Sequence, residues 1–241
     1  MLARLLEPEV MDTEDEAREY DLMDHSEVNR LFVRDFLAVH HEGWKILDVG
    51  TGTALIPIEL CQREKRAIVL AIDAAQHMLE RAAVNVAGAG LVGRVHLELT
   101  DAKALKYDNA SFPAVISNSI VHHIPEPRRV LTEMIRVLAP GGTLFVRDLL
   151  RPADDATVGH LVMTYAGTAT ATQQALFEAS LWAALSLDEI RGLVRELGLP
   201  LGARKRIRQA VAEAEKSSSA SERQVDAASR PGLREVELSV L

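Results

Sequence analysis

The sequence is poor in cysteine and has no long apolar run. Cys61 is the only cysteine among its 241 residues, so an intrachain disulfide is excluded. No apolar stretch approaches the roughly 20 residues that a membrane-spanning helix requires. The first residues are acidic and lack the basic and apolar regions of a secretory signal peptide. The sequence therefore predicts a cytoplasmic location and no membrane partner.

The balance of charges also excludes a class of partner. The formal net charge is -8, and the basic residues are scattered along the core region rather than clustered. A protein that binds nucleic acid needs a continuous basic surface, so we expect no nucleic-acid partner. Hydrophobic residues make up 48% of the chain, which is enough for one α/β domain with a full core and some appended structure.

Short apolar runs alternate with helical patterns from Trp44 to about Leu199. Each run is too short for a helix and is typical of a buried strand. The intervals between the runs leave room for crossover helices, which predicts a parallel sheet. The five predicted strands are Lys45–Val49, Arg66–Ile72, Val95–Leu99, Ala114–Ser117 and Thr143–Val146.

The helices show their own period. One apolar face runs from Met78 to Val86 and a second runs from Val130 to Leu138, where Pro140 and two glycines predict a stop. Ser186 opens a further helix with a capping box. Strict alternation of strand and helix predicts an α/β fold with a doubly wound, mainly parallel sheet and helices on both faces. Ligands of such sheets bind beyond the carboxyl ends of the strands.

A glycine-rich turn follows the first predicted strand. Asp48 ends that strand, and Gly50 and Gly52 permit a close approach of the backbone to a ligand. A dinucleotide fingerprint requires glycine where this chain has Leu55, so a nicotinamide dinucleotide is the less favoured ligand. Asp73 ends the second strand about 20 residues on, at the position from which a carboxylate binds ribose hydroxyls.

A third acid follows the third strand. Asp101 could accept a hydrogen bond from an exocyclic amine such as that of adenine. Each of these acids has a simpler interpretation as a helix N-cap or turn residue. The joint occurrence of three acids at three successive strand ends with one glycine loop favours a binding site for a nucleoside-containing cofactor.

The segment from Asp48 to Ala54 resembles the first motif of the class I S-adenosylmethionine-dependent methyltransferases, which reads roughly D-x-G-x-G-x-G. Ala54 stands where the last glycine is usual, and the resemblance extends through 118–125 and 137–142. It implies a Rossmann-like fold, S-adenosylmethionine as cofactor and transfer of its methyl group to a small molecule. It also implies that Asp73 holds the ribose, Asp101 the adenine amine, Ala102 the adenine ring and the two glycines the methionine portion. The expected cofactor-binding residues are Asp48, Gly50, Thr51, Gly52, Asp73, Ala74, Asp101, Ala102 and Asn118.

Two adjacent histidines follow the fourth strand, at the sheet edge where a methyl acceptor is expected. Either His122 or His123 could remove a proton from an acceptor hydroxyl, thiol or amine near neutral pH. The alternative is that one packs in the interior and the other points to solvent. Neither this pair nor His40–His41 has a metal-binding spacing, and adjacent histidines on regular structure point apart. The sequence therefore predicts catalytic histidines and no required metal.

Three regions flank or interrupt the predicted core at 44–202. Residues 1–43 are acidic and show helical spacing, which predicts a helical lid over the cofactor mouth. A helical insert at 151–185 carries Tyr165, Phe177 and Trp182, which either wall an acceptor pocket or pack in the interior. Residues 203–241 are predicted to form a charged, partly disordered tail with one strand near its end, from Leu233 to Leu241. An exposed sheet edge could also pair with a second copy of the chain, giving a homodimer.

The functional hypothesis is methyl transfer to a small molecule, and two alternatives stay open. Some members of this fold keep the cofactor site without transferring a methyl group, so the chain could be a binding protein. A nicotinamide-dependent oxidoreductase is the least favoured, because the chain lacks a Tyr-x-x-x-Lys pair near the sheet edge. The cofactor motifs leave the acceptor undetermined, since specificity resides in the lid and the insert.

Overall fold

The computed structural model describes residues 2–10 and 12–199 and the backbone of 235–240. Helices and strands alternate over most of the predicted core, but no helix separates the third strand from the fourth, so the expected strict alternation is wrong at that point. A short 3-10 helix at Val121–His123 follows the fourth strand. The helices and strands are α1 (Glu14–Asp21), α2 (Ser26–Val39), β1 (Lys45–Val49), α3 (Leu55–Arg63), β2 (Ile68–Asp73), α4 (Gln76–Gly88), β3 (Val95–Leu99), β4 (Phe112–Asn118), α5 (Pro127–Val137), β5 (Leu138–Leu149), α6 (Asp155–Ala166), α7 (Ala171–Ala183), α8 (Leu187–Glu196) and β6 (Glu235–Val240).

The strands form one sheet in the order β3-β2-β1-β4-β5-β6. The pairs among β1 to β5 are all parallel, which confirms the five predicted strands and the doubly wound, Rossmann-like fold. The chain winds outward in both directions from β1 and β4. The crevice between the carboxyl ends of these two strands is therefore the topological switch point at which such sheets bind ligands.

The last strand pairs antiparallel with β5, with Leu144 opposite Val240 and Leu149 opposite Glu235. This strand lies within the stretch whose alternation predicts it. Residues 200–234 and 241, which carry most of the predicted charged tail, lie outside the described residues. Among the helices that the structure describes, none has the length and apolar composition needed to cross a bilayer.

Two apolar layers cover the sheet because successive strand side chains face opposite sides. Leu47, Val115 and Leu144 face α5 and α8. The other face packs against α2, α3 and α4, and Cys61 is buried there in α3. Each layer excludes water from one side of the sheet, which leaves the strand ends as the accessible edge.

The helical spacing in the first 43 residues predicts α2, whose aromatic face packs on the sheet. Phe32 and Phe36 are fully buried and contact Phe145 of β5, with ring centroids 5.0 and 5.8 Å apart. The aromatic face packs on the sheet because it buries more apolar surface there. Two residues of the N-terminal region do reach the strand ends. They are Val10, which precedes α1, and Tyr20, which lies in α1.

The insert after β5 folds into α6 and α7. Its three aromatic residues pack against a small cluster that includes Leu149 and Leu181, rather than lining the large cavity at the strand ends. The interior-packing interpretation of these aromatics therefore fits the structure. Ser186 caps α8 and accepts from the Glu189 amide, which confirms the predicted capping box.

Replacing Phe145 tests the packing of α2 on the sheet. We expect Phe145→Ala to lower the free energy of unfolding by about 3–5 kcal/mol, because it leaves a cavity between two other phenylalanines. The exposed Val84 of α4 provides the control, since Val84→Ala should change stability by about 0.5 kcal/mol or less. Urea denaturation of both variants measures the difference. Equal stabilities would show that α2 is not anchored through Phe145.

Candidate functional site

The carboxyl ends of β1 to β4 surround an open cavity of about 810 Å³. Thr51 and the strand-end Asp48 line a smaller polar recess beside it, which shares three of its residues with the large cavity. The structure thus brings all nine predicted cofactor-binding residues to one edge of the sheet. Those that line the large cavity are Gly50, Gly52, Asp73, Ala74, Asp101, Ala102 and Asn118.

The glycine loop after β1 is held in a left-handed conformation. Gly50 has φ +73° and Gly52 has φ +54°, and both values are costly for residues with a side chain. A Cβ on Gly50 would lie 2.1 Å from Cγ2 of Ile120, so glycine is required there by packing within the protein. Ala54, which stands where the family motif has its last glycine, also adopts a left-handed φ of 61°.

Asp73 ties the glycine loop to the end of β2. Its Oδ2 accepts a hydrogen bond of 2.7 Å from the Gly52 amide, and its Oδ1 accepts one of 2.9 Å from the Ala75 amide. A carboxylate has about four acceptor positions, so two remain for hydroxyl groups of a ligand. Burial raises the pKa of Asp73, and its backbone hydrogen bonds, first those from the Ala75 and Gly52 amides, oppose this rise.

Asp101 occupies the far end of the cavity, after β3. Its Oδ1 accepts from the Lys103 amide at 2.8 Å and lies 3.1 Å from the Lys103 ammonium. Partial burial opposes ionisation, but these contacts lower the pKa of Asp101 below its usual value. Lys103 also pairs with Glu9, so the N-terminal segment closes over this end. Glu9 is a cavity residue that sequence reasoning missed.

Asp48 is the most deeply buried acid at the strand ends. The residue is only 2% exposed, and its Oδ2 has no hydrogen-bond partner within the described part of the chain. Burial raises the pKa of Asp48 to about 7; the charge of Asp73 adds to this, and the Thr51 hydroxyl opposes it. The buried Oδ1 of Asn118 is also unpartnered among the described residues. Acceptors arranged in this way suit a ligand that carries a cationic or hydrogen-bond-donating group.

Tyr20 covers the glycine loop from the side of α1. It lines both the cavity and the polar recess, and its ring lies 3.6 Å from the position of a Cβ on Gly52. Burial, followed by the charges of Asp73 and Asp48, raises the pKa of Tyr20 to about 12. The phenol therefore stays protonated, able to donate a hydrogen bond beside two acids.

The two predicted catalytic histidines occupy different positions. His123 lines the cavity, whereas His122 is buried behind it, and its Nδ1 lies 2.5 Å from Oδ1 of Asp148. Burial alone would lower the pKa of His122, but the charge and hydrogen bond of Asp148 raise it. Burial, helped by the charge of His122, lowers the pKa of His123 to about 3. The neighbouring Arg147 contacts Asp35 at 2.7 Å.

The N-terminal segment brings a further carboxylate to these histidines. Oε1 of Glu7 lies 3.6 Å from Nε2 of His122 and 3.1 Å from Nδ1 of His123. The two imidazole rings are 4.2 Å apart and tilted by 34°, so both face Glu7. The expectation that adjacent histidines point apart is wrong here, because the 3-10 turn at Val121–His123 is not a regular helix or strand.

Comparisons with known proteins bear on this arrangement. A family model described as a methyltransferase domain matches residues 46–142, which include the glycine loop and most of the cavity. The 27-O-demethylrifamycin SV methyltransferase of Amycolatopsis mediterranei is 32% identical over 158 residues, covering 65% of this chain and 54% of that protein. These comparisons indicate a methyltransferase domain in residues 46–142 of this chain. The chain spans 38% to 56% of the length of the curated relatives it matches.

Solved structures share the fold of the methyltransferase domain at low sequence identity. A SAM-dependent methyltransferase from Aquifex aeolicus superposes with a TM-score of 0.61 at 18% identity, covering 95% of this chain and 99% of that one. The [4+2]-cyclase SpnF superposes with a TM-score of 0.56 at 20% identity, covering 82% of this chain and 75% of that one. Because the second of these is described as a cyclase, the fold alone does not determine the reaction.

Replacing Asp48 tests whether its carboxylate is buried at a cost to stability. The pKa of about 7 in the folded state is above the roughly 3.9 of an unfolded aspartate, so stability is lost as the pH rises from about 4 through about 7. We expect Asp48→Asn to stabilise the unliganded methyltransferase domain more at pH 8 than at pH 5, by up to about 3 kcal/mol.

Thermal denaturation at the two pH values measures this gain. The exposed Asp108 provides the control, because Asp108→Asn removes a carboxylate that the fold does not bury. A gain from Asp48→Asn that is the same at both pH values would contradict the burial of an ionisable group at this position.

Proposed function

We propose that the chain transfers the methyl group of S-adenosylmethionine to a small molecule. The observation that carries the proposal is the gathering of Asp48, Asp73 and Asp101 around a left-handed glycine loop at the switch point of the sheet. The sulfonium carries an activated methyl group, so transfer needs a nucleophile that is held close, oriented and stripped of water. The residues of this site then need to bind and orient rather than supply strong chemical activation.

The proposed roles follow the positions of the residues along the cavity. Asp73 accepts hydrogen bonds from the ribose hydroxyls through its two remaining acceptor positions. Asp101 accepts from the adenine amine, while Ala74 and Ala102 flank the adenosine. The methionine portion lies against Asp48, Gly50, Thr51, Gly52 and Asn118, where the unpartnered buried oxygens favour its ammonium group.

His122 and His123 are the proposed catalytic residues beside the methyl acceptor. His123 lines the cavity beside Ile120 and Ile124, which supports contact with the acceptor. Asp148 binds Nδ1 of His122 and accepts from the Val121 amide at 2.6 Å, so the ring is oriented by a buried carboxylate. A carboxylate in that position stabilises an imidazolium, as the third group of a catalytic triad does.

A binding protein without transfer activity is the second candidate, and the likeness to a cyclase favours keeping it. Incubation with methyl-labelled S-adenosylmethionine and a broad mixture of hydroxyl, amine and thiol metabolites separates the two candidates, because only a methyltransferase would label a metabolite.

Leu55 at the start of α3 disfavours a nicotinamide dinucleotide as the cofactor. We further propose a cytoplasmic location, an acceptor that is neither nucleic acid nor a membrane component, and a homodimer as an assembly to be tested by light scattering.

Calorimetric titration with S-adenosylhomocysteine and with NAD tests the cofactor assignment. We expect the chain to bind the former and not the latter. We expect Asp73→Asn to weaken binding of S-adenosylhomocysteine on the order of 10- to 100-fold, because hydrogen bonds to a charged acceptor contribute roughly 1.5–3 kcal/mol. Asp108→Asn, on the exposed loop before β4, should bind as the wild type does.

Circular dichroism of Asp73→Asn checks that the glycine loop is still part of a folded protein. Equal affinity of the folded Asp73→Asn variant, or preferential binding of NAD by the wild type, would contradict the proposed function.

A further inference from the structure

Three ligand-type side chains from distant parts of the sequence meet beside the cavity. The facing atoms of Glu7, His122 and His123 all lie within 4.8 Å of one another. The shorter distances, from Oε1 of Glu7 to the two ring nitrogens, are 3.1 and 3.6 Å. Atoms that bind one zinc ion at 2.0–2.1 Å with tetrahedral angles lie about 3.3–3.4 Å apart. The two distances from Glu7 therefore match those expected around a common ion.

The ring of His122 is already oriented as that of a metal ligand. Its Nδ1 is bound to Asp148, which leaves the lone pair of Nε2 directed towards Glu7. Metal-bound histidines almost always bind a carboxylate or carbonyl through the other ring nitrogen, which fixes the tautomer. Asp148 is in turn held by the Val121 and Leu149 amides at 2.6 and 2.7 Å.

The other two ligand atoms lack hydrogen bonds. Oε1 of Glu7 and Nδ1 of His123 are buried and have no hydrogen-bond partner in the described part of the chain, although they lie 3.1 Å apart. The side chain of Glu7 is only 10% exposed. Buried polar atoms without partners are uncommon in native proteins, and an ordered water or an ion can satisfy them. A cation placed between the three atoms would satisfy both.

The segment that carries Glu7 is anchored independently of the three ligands. The guanidinium of Arg4 donates hydrogen bonds to the carbonyl oxygens of His122, Ile124 and Ala183 at 2.9, 3.0 and 2.7 Å. These contacts fix the N-terminal segment over the 3-10 turn. Glu7 is thereby held near the histidines without any bond to the rings themselves.

We propose that Glu7, His122 and His123 bind one divalent transition-metal ion beside the cofactor cavity. Two histidines and one carboxylate are a ligand set that suits zinc and similar ions and that leaves coordination positions for water or substrate. Because His123 lines the cavity, an oxygen atom of the methyl acceptor is the class of ligand that would complete the site. That role in transfer rests on the proposed function, whereas the binding of the ion does not.

With an ion bound, the two histidines are no longer free to accept a proton. The ion would then take over the activation of the acceptor, because a bound cation lowers the pKa of a coordinated hydroxyl group. The site is thus either a pair of proton-accepting histidines or a metal centre, and ion binding decides between them.

Zinc titration of the full chain, purified without a polyhistidine tag and stripped with a chelator, tests the site. We expect one equivalent of Zn²⁺ to bind by calorimetry. Glu7→Gln should weaken that binding at least tenfold, and Asp148→Asn should weaken it about 10- to 100-fold through the orientation of His122. His77→Asn, which removes the surface pair of His77 with Asp12, is the control and should bind as the wild type does.

Cobalt provides a second readout, since a tetrahedral Co²⁺ site with nitrogen and oxygen ligands absorbs visible light. Absence of stoichiometric binding, or equal binding by folded Glu7→Gln, would overturn the proposal. Titration of Glu7→Gln with S-adenosylhomocysteine keeps the two proposals apart. If Glu7→Gln still binds S-adenosylhomocysteine but no longer binds zinc, the metal site is supported. If the wild type binds zinc but not S-adenosylhomocysteine, only the proposed function is contradicted.

Discussion

The burial of carboxylates at the ends of neighbouring parallel strands is the constraint on which the site depends. Parallel strands that run outward from a switch point deliver their last residues to one edge, and Asp48 and Asp73 lie there under α1. Burial raises the pKa values of both acids, so the unliganded fold holds them at a cost. A ligand with a cationic group and two hydroxyls removes that cost when it binds.

The glycine loop and the acids act as one unit. Asp73 binds the Gly52 amide, and the amides of Gly50 and Thr51 both donate to the Ile72 carbonyl at 2.9 Å. The loop is thus fastened to β2 rather than to its own strand alone. This arrangement presents the loop backbone to the cavity in one conformation, and pre-organisation of this kind reduces the entropy lost on binding.

The sequence was sufficient to predict the parts of the site that are set by neighbouring residues. Asp48, Asp73 and Asp101 follow apolar runs directly, so their position at strand ends follows from local pattern and sheet topology. Glu7 and Glu9 reach the cavity through contacts with residues about 100 positions away, and no local pattern marks such contacts. Helical spacing likewise identifies the apolar face of α2 but not the surface that this face covers.

A crystal structure with S-adenosylhomocysteine tests the central claim most directly, because the strand-end acids are assigned to particular groups of the ligand. The account predicts the ribose hydroxyls within hydrogen-bond distance of Asp73, the adenine amine at Asp101 and the amino-acid end beside Asp48 and Asn118. Ligand density elsewhere in the molecule, or an adenosine that makes no contact with Asp73, would contradict it.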